Sequence, residues 1–151
     1  TNSIIWRNIS EHNIRYGLHF MFSHNNAYIC NKFSFNGAGV AVMYAHGIKM
    51  YKNIFEESWG DAAFGLLMKD ISDSYITGNR FIGNTSGIYM EGSSRIMMEK
   101  NTFQNNGWAI KIQGSCDDNN LSFNNISGNT FYIATNGYRV LNDFRNDSGE
   151  K

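Results

Sequence analysis

The sequence predicts a right-handed, single-stranded parallel β-helix, an all-β solenoid of about five coils of roughly 22 residues each. Three observations carry this. The tripeptides Asn31-Lys32-Phe33, Asn53-Ile54-Phe55, Asn79-Arg80-Phe81, Asn101-Thr102-Phe103 and Asn129-Thr130-Phe131 repeat the form Asn-x-Phe at spacings of 22, 26, 22 and 28. Gly17, Gly39, Gly65 and Gly87 open short alternating runs at spacings of 22, 26 and 22, with Ala109 in the next place. Each of these glycines precedes the following Asn by 14 residues, so the two series belong to one repeating unit.

Composition agrees. The 151 residues hold 21 Asn and 15 Gly but no Pro. Asparagine competes for its own backbone and favours turns over helices, while proline cannot donate to a sheet ladder. Helical repeats are excluded by their longer periods and by this density of turn formers.

In chain order, residues 1–15 supply part of a coil around Trp6 and Asn8. The run GLHFMF follows, and GVAVMY, GLLMKD, GIYMEG and AIKIQG repeat it. Alternation of side chains along a strand turns these runs into columns, with equivalent residues about 4.8 Å apart. Leu18, Val40, Leu66, Ile88 and Ile110 form one inward column, and Phe20, Val42, Met68, Met90 and Ile112 a second. Tyr28, Met50, Ile76 and Met98 form a third. After these come an amide ladder of Asn31, Asn53, Asn79 and Asn101 and an aromatic ladder of Phe33, Phe55, Phe81 and Phe103. The longer gaps read as loop insertions at residues 56–62 and 115–128, and Tyr138 to Leu141 begins another coil. The whole is read as a single domain, residues 1–151, forming part of a longer protein.

Thirteen basic residues balance thirteen acidic ones and form no stripe, which removes the electrostatic term behind non-specific nucleic-acid affinity. The longest apolar stretch, Gly39 to Tyr44, is far short of the roughly 20 residues of a membrane span.

The outward column His19, Ala41, Leu67, Tyr89 and Lys111 is followed by Met21, Met43, Lys69, Glu91 and Gln113. Met21 and Met43 are not what a solvated face carries. Each is followed three residues on by a histidine, in Met21-Phe22-Ser23-His24 and Met43-Tyr44-Ala45-His46. Thioether sulfur favours Cu(I), and imidazole also accepts copper. Met21, His24, Met43 and His46, with His19 on the same face, are therefore candidate ligands for one soft ion. The competing reading is an adaptable surface against a partner, since Met serves both purposes.

Cys30 and Cys116 lie about four coils apart, too far for a disulfide. Asp70, Asp73, Glu91, Asp117 and Asp118 show no facing general acid and base, which weighs against a polysaccharide-cleaving enzyme. The loop Glu56-Glu57-Ser58-Trp59-Gly60-Asp61 combines acidic and aromatic residues; Trp59 and Asp61 in it, with Leu67 and Tyr89 on the wall, are candidate docking residues.

The stretches RYGLHFMFSHNN, GAGVAVMYAHGIKMYKN, WGDAAFGLLMKDISDS and NTSGIYMEGSSRI, and the ending GNTFYIATNGY, resemble the NosD family across residues 14–144. The resemblance implies a periplasmic protein that handles copper while nitrous oxide reductase matures; the soft candidate ligands make that copper Cu(I), and the expected role is binding without catalysis. Its implied partners are ABC transporter subunits, a copper chaperone and the reductase. Because such β-helices carry the CASH-type repeat of carbohydrate-binding proteins, carbohydrate binding or cleavage is the alternative, and a pure docking scaffold the second.

Overall fold

A computed structural model describes residues 1–136, 143–145 and 148–149. All regular structure in it is β-strand. The strands pair in parallel and wind into a right-handed β-helix of about six turns, against the five read from sequence. The stretch from Tyr138 to Leu141 lies outside the described residues.

Three faces enclose the core. The first stacks strands Tyr16–Met21, Ala38–His46, the start of Phe64–Thr77, Ser86–Glu91, Trp108–Gln113 and Phe131–Asn136. The second stacks Ile4–Trp6, Ala27–Ile29, Lys49–Tyr51, the end of Phe64–Thr77, Ser94–Glu99, Asn120–Ser122 and Asp143–Arg145. The third stacks Ile9–Glu11, Lys32–Ser34, Ile54–Glu56, Arg80–Ile82, Thr102–Gln104, Asn125–Ser127 and Ser148–Gly149. The register is the one the glycine series sets, with Leu18 against Val40, Val40 against Leu66, Leu66 against Ile88, and Ile88 against Ile110. Val40, Val42, Leu66, Met68, Ile88, Met90, Ile110 and Ile112 are buried, as are Tyr28, Met50, Ile76 and Met98.

The turns obey one local rule. Arg7, Cys30, Lys52, Gly78, Lys100 and Phe123 adopt left-handed φ values between 54° and 70°, and each is followed by an asparagine. That single left-handed residue reverses the chain and points the next side chain inward, where its amide replaces strand hydrogen bonds that the turn breaks. Asn79 is typical. Its Oδ1 accepts from the Asn53 N–H at 2.8 Å and from Asn53 Nδ2 at 3.0 Å, while its own Nδ2 donates to the Met50 carbonyl at 2.9 Å. Alongside runs the Phe ladder, whose rings stack 5.4, 4.8 and 4.8 Å apart.

Two sequence expectations are corrected here. Asn129 does not follow Asn101 in this ladder; Asn124 does, accepting from the Asn101 N–H at 3.0 Å and from its Nδ2 at 3.1 Å. Residues 115–128 are consequently no insertion but an ordinary coil, containing strands Asn120–Ser122 and Asn125–Ser127. The motif went unseen because Ile126 takes the place of the phenylalanine, pairing with Phe103. Asn129 belongs to a second ladder through Asn84 and Asn106, whose Nδ2 atoms each donate to the next Oδ1.

Ala109 takes the glycine's place next to this exchange. A Cβ on Gly87 would lie 2.6 Å from the Ala109 carbonyl and 3.1 Å from the Phe103 ring. One coil higher Ile126 stands in place of that ring, and Ala109 is fully buried.

Candidate functional site

The outward columns follow the same register. Met21 pairs with Met43, and Met43 with Lys69; His19 pairs with Ala41. Met21 is 44% exposed and Met43 half-buried, so neither side chain is closed off from solvent. His24 and His46 stack with ring centroids 4.1 Å apart and planes 12° from parallel.

Between the two pairs the chain turns. Phe22 and Tyr44 both take left-handed φ values, 52° and 53°, and their exposed rings stack at 5.1 Å. The thioether pair thus stands before the corner and the imidazole pair after it. Nothing in the periodicity marked Phe22 and Tyr44, because left-handed positions elsewhere carry residues as different as Lys, Asp, Cys, Phe and Gly.

The histidines are not equivalent. His24 Nδ1 accepts a hydrogen bond from the His46 backbone N–H at 3.2 Å, which leaves the imidazole proton on Nε2. A metal at that Nε2 would have to displace the proton and break the bond. His46 has no such tie among the described residues, and its side chain is exposed. His19 turns its ring onto Tyr16, 4.6 Å away toward the start of its strand, whereas Met21 lies at the end.

Among the described residues no three His, Cys, Asp or Glu side chains converge on one point. A metal here would have to use the thioethers, which selects a soft ion. The cysteines do not add to it: Cys30 is exposed at the corner between the second and third faces, and burial pushes the Cys116 thiol up and holds it protonated.

The docking candidates divide. Trp59 is 56% exposed, its indole N–H donating to Glu57 Oε2 at 3.0 Å, and Asp61 is exposed beside it. Leu67 lines a groove of about 280 Å³ with Ile14, Tyr16 and Phe64. Tyr89, one coil above, packs on Phe64 at 4.9 Å and donates to Gln113 Oε1 at 3.1 Å; partial burial raises its phenol pKa.

Among solved structures the chain is similar in fold to the periplasmic alginate epimerase AlgG, with TM-score 0.71 at 16% identity over 98% of this chain and 43% of that one. It is also similar to the A-module of the Azotobacter vinelandii mannuronan C-5 epimerase AlgE4, with TM-score 0.61 at 14% identity over 98% of this chain and 55% of that one. The chain spans about half the length of these structures or less. No curated protein sequence matches it. The model of one family, described as periplasmic copper-binding protein (NosD), matches residues 1–150, and the chain belongs to that family.

Proposed function

We propose that this chain carries Cu(I) as cargo on its lower coils and hands it, by exchange of ligands and with no change of oxidation state, to a protein docked on the same wall. The ligands are Met21, Met43 and His46. His24 acts beneath them, holding the His46 backbone through its Nδ1 and joining the metal only when that bond opens. His19 serves at the rim. The acceptor is the pathway that matures nitrous oxide reductase, reached together with an ABC transporter and a copper chaperone, and the role is binding, not catalysis. Trp59, Asp61, Leu67 and Tyr89 are the docking residues.

The observation that carries this reading is the in-register thioether pair Met21–Met43 on an outward column that turns to Lys69 and Glu91 in the coils above. In a copper-binding family, two soft donors about one strand spacing apart have a reason to stand there. A shallow site exchanges its ion readily, which suits a carrier. Since protonated imidazole cannot ligate, copper retention falls on acidification.

The test is a Cu(I) titration against a chromophoric chelator, comparing the protein with its Met21→Ala/Met43→Ala variant. The variant should lose affinity by at least about tenfold. Equal affinity in the two removes the site. His46→Ala should weaken binding more than His24→Ala, and the reverse order would exchange the two histidine roles.

A further inference from the structure

Higher on the same solenoid, on a different face from Met21 and Met43, a depression of about 310 Å³ opens on the second face. That is near the lower end of small-ligand sites, about 300 Å³. Six of its residues come from three successive coils: Asp73 and Tyr75, Arg95 and Met97, Asp118 and Asn120. The register sets Tyr75 against Met97 and Met97 against Asn120 in one outward column. Asp73, Arg95 and Asp118 occupy the left-handed corner beside it, with φ values of 51°, 56° and 57°.

The polar side is fixed in place. Arg95 Nε donates to Asp73 Oδ1 at 2.6 Å and its terminal nitrogen to Oδ2 at 3.0 Å, a two-pronged pair with both side chains more than half exposed. An exposed pair of this kind adds little to stability. What it does provide is an oriented surface of spare guanidinium N–H donors and carboxylate lone pairs, with the Asp118 carboxylate near enough to act on the guanidinium electrostatically. Next to it lies an apolar platform, Tyr75 at 45% and Met97 at 37% exposure, where a solvated sheet face would carry polar residues.

A flat apolar platform edged by fixed donors and acceptors is what a sugar ring requires, because its C–H face stacks while its hydroxyls both give and take hydrogen bonds. Coils rise about 4.8 Å each, so a glycan lying along the solenoid axis meets a new pair of groups at each step, Asp73 and Tyr75, then Arg95 and Met97, then Asp118 and Asn120. Charge chooses the kind of sugar. Two carboxylates against one guanidinium leave the site net negative, and Asp73 already neutralises the arginine that an acidic sugar would need. The geometry points to a binding subsite for a neutral hexose oligosaccharide, on different residues from those proposed for copper.

The experiment measures binding of cellohexaose, maltohexaose and an oligomannuronate of the same length to the full chain by calorimetry and by chemical-shift perturbation. At least one of the neutral hexaoses should bind, with oligomannuronate weaker by about tenfold or more, as like-charge repulsion demands. Tyr75→Ala and Asp118→Ala should each weaken the neutral ligand by about tenfold, the scale of a lost stacking or charged hydrogen-bond contact. Both residues are exposed, and circular dichroism checks that each variant folds. Cu(I) affinity should be the same in these variants as in the parent chain, so failure of the copper reading shows separately. Absence of neutral-glycan binding at millimolar concentration, preference for oligomannuronate, or binding indifferent to both substitutions would overturn the proposal.

Discussion

The lower and upper coils are nearly interchangeable inside and unlike outside. Inward, Val40 and Val42 give way to Leu66 and Met68, Ile88 and Met90, then Ile110 and Ile112, all buried and all apolar. Outward, Met21 and Met43 are followed by Lys69, Glu91 and Gln113, and the stacked Phe22 and Tyr44 by Asp70 and Gly92 in the same corner. Each inward residue must fit the same core and the same ladder as its neighbours, because a coil has no core alone. The outward residues answer to no such constraint. Two adjacent coils place thioethers, imidazoles and stacked rings where the coils above carry Lys69 and Glu91, Ser72 and Ser94, and Asp70 and Gly92, so the fold itself does not require them there.

That contrast can be broken from the inside. Phe81 is fully buried, stacked at 4.8 Å on both Phe55 and Phe103. Phe81→Ala should cost about 3–5 kcal/mol in urea unfolding. Asn79→Ala should come next, at about 3 kcal/mol, since it leaves the buried Asn53 amide groups and the Met50 carbonyl without their partner. Met43→Ala, on the wall, should cost under about 1 kcal/mol. If Met43→Ala were as damaging as Asn79→Ala, the methionine would be core and its assignment to cargo would fail.

A smaller effect sharpens the same contrast from the outside. Copper binding should survive changes in the upper wall, such as Lys69→Ala, with affinity altered less than about threefold, the range of an exposed charge. The lower-wall Met21→Ala/Met43→Ala variant should lose at least about tenfold, read by the same chelator competition. Equal losses in the two would place copper on the solenoid at large.

Much of this was readable in the sequence, for a physical reason. A constant offset between a tight-packing glycine and a corner asparagine survives because both are fixed by close contact, Gly39 lying where a Cβ would stand 2.5 Å from the Gly65 carbonyl. What escaped was whatever the backbone decides without a characteristic residue. The left-handed corners carry Cys30, Lys52, Tyr44 and Phe22 as readily as glycine, so the corner that parts Met21 from His24 left no mark. The sixth coil hid behind one exchange, Phe to Ile at position 126, which shifted the apparent repeat onto Asn129. The unequal histidines were beyond reach altogether, since their difference is a backbone hydrogen bond.

The smallest expected effect concerns the exposed ion pairs of the wall. The Arg95 guanidinium, by hydrogen bond and then by charge, holds the Asp73 carboxyl below the usual carboxylate range. A lowered folded-state pKa means that the pair contributes fully above the ordinary carboxylate value and loses that contribution as pH falls through the lowered one. Lys32, 3.0 Å from Glu56, runs the other way: its hydrogen bond to Glu56 raises its pKa, so that its contribution holds below the ordinary lysine value and is lost as pH rises past the raised one. At neutral pH both pairs are formed but solvated and salt-screened. Asp73→Asn should therefore lower the melting temperature much less than Asn79→Ala, and the gap between Asp73→Asn and the parent chain should close in strong acid and shrink in high salt. A melting-temperature loss matching that of Asn79→Ala, unchanged by acid or salt, would mean that this corner of the wall holds the coils together, and the division between an inside that folds and an outside that binds would not survive there.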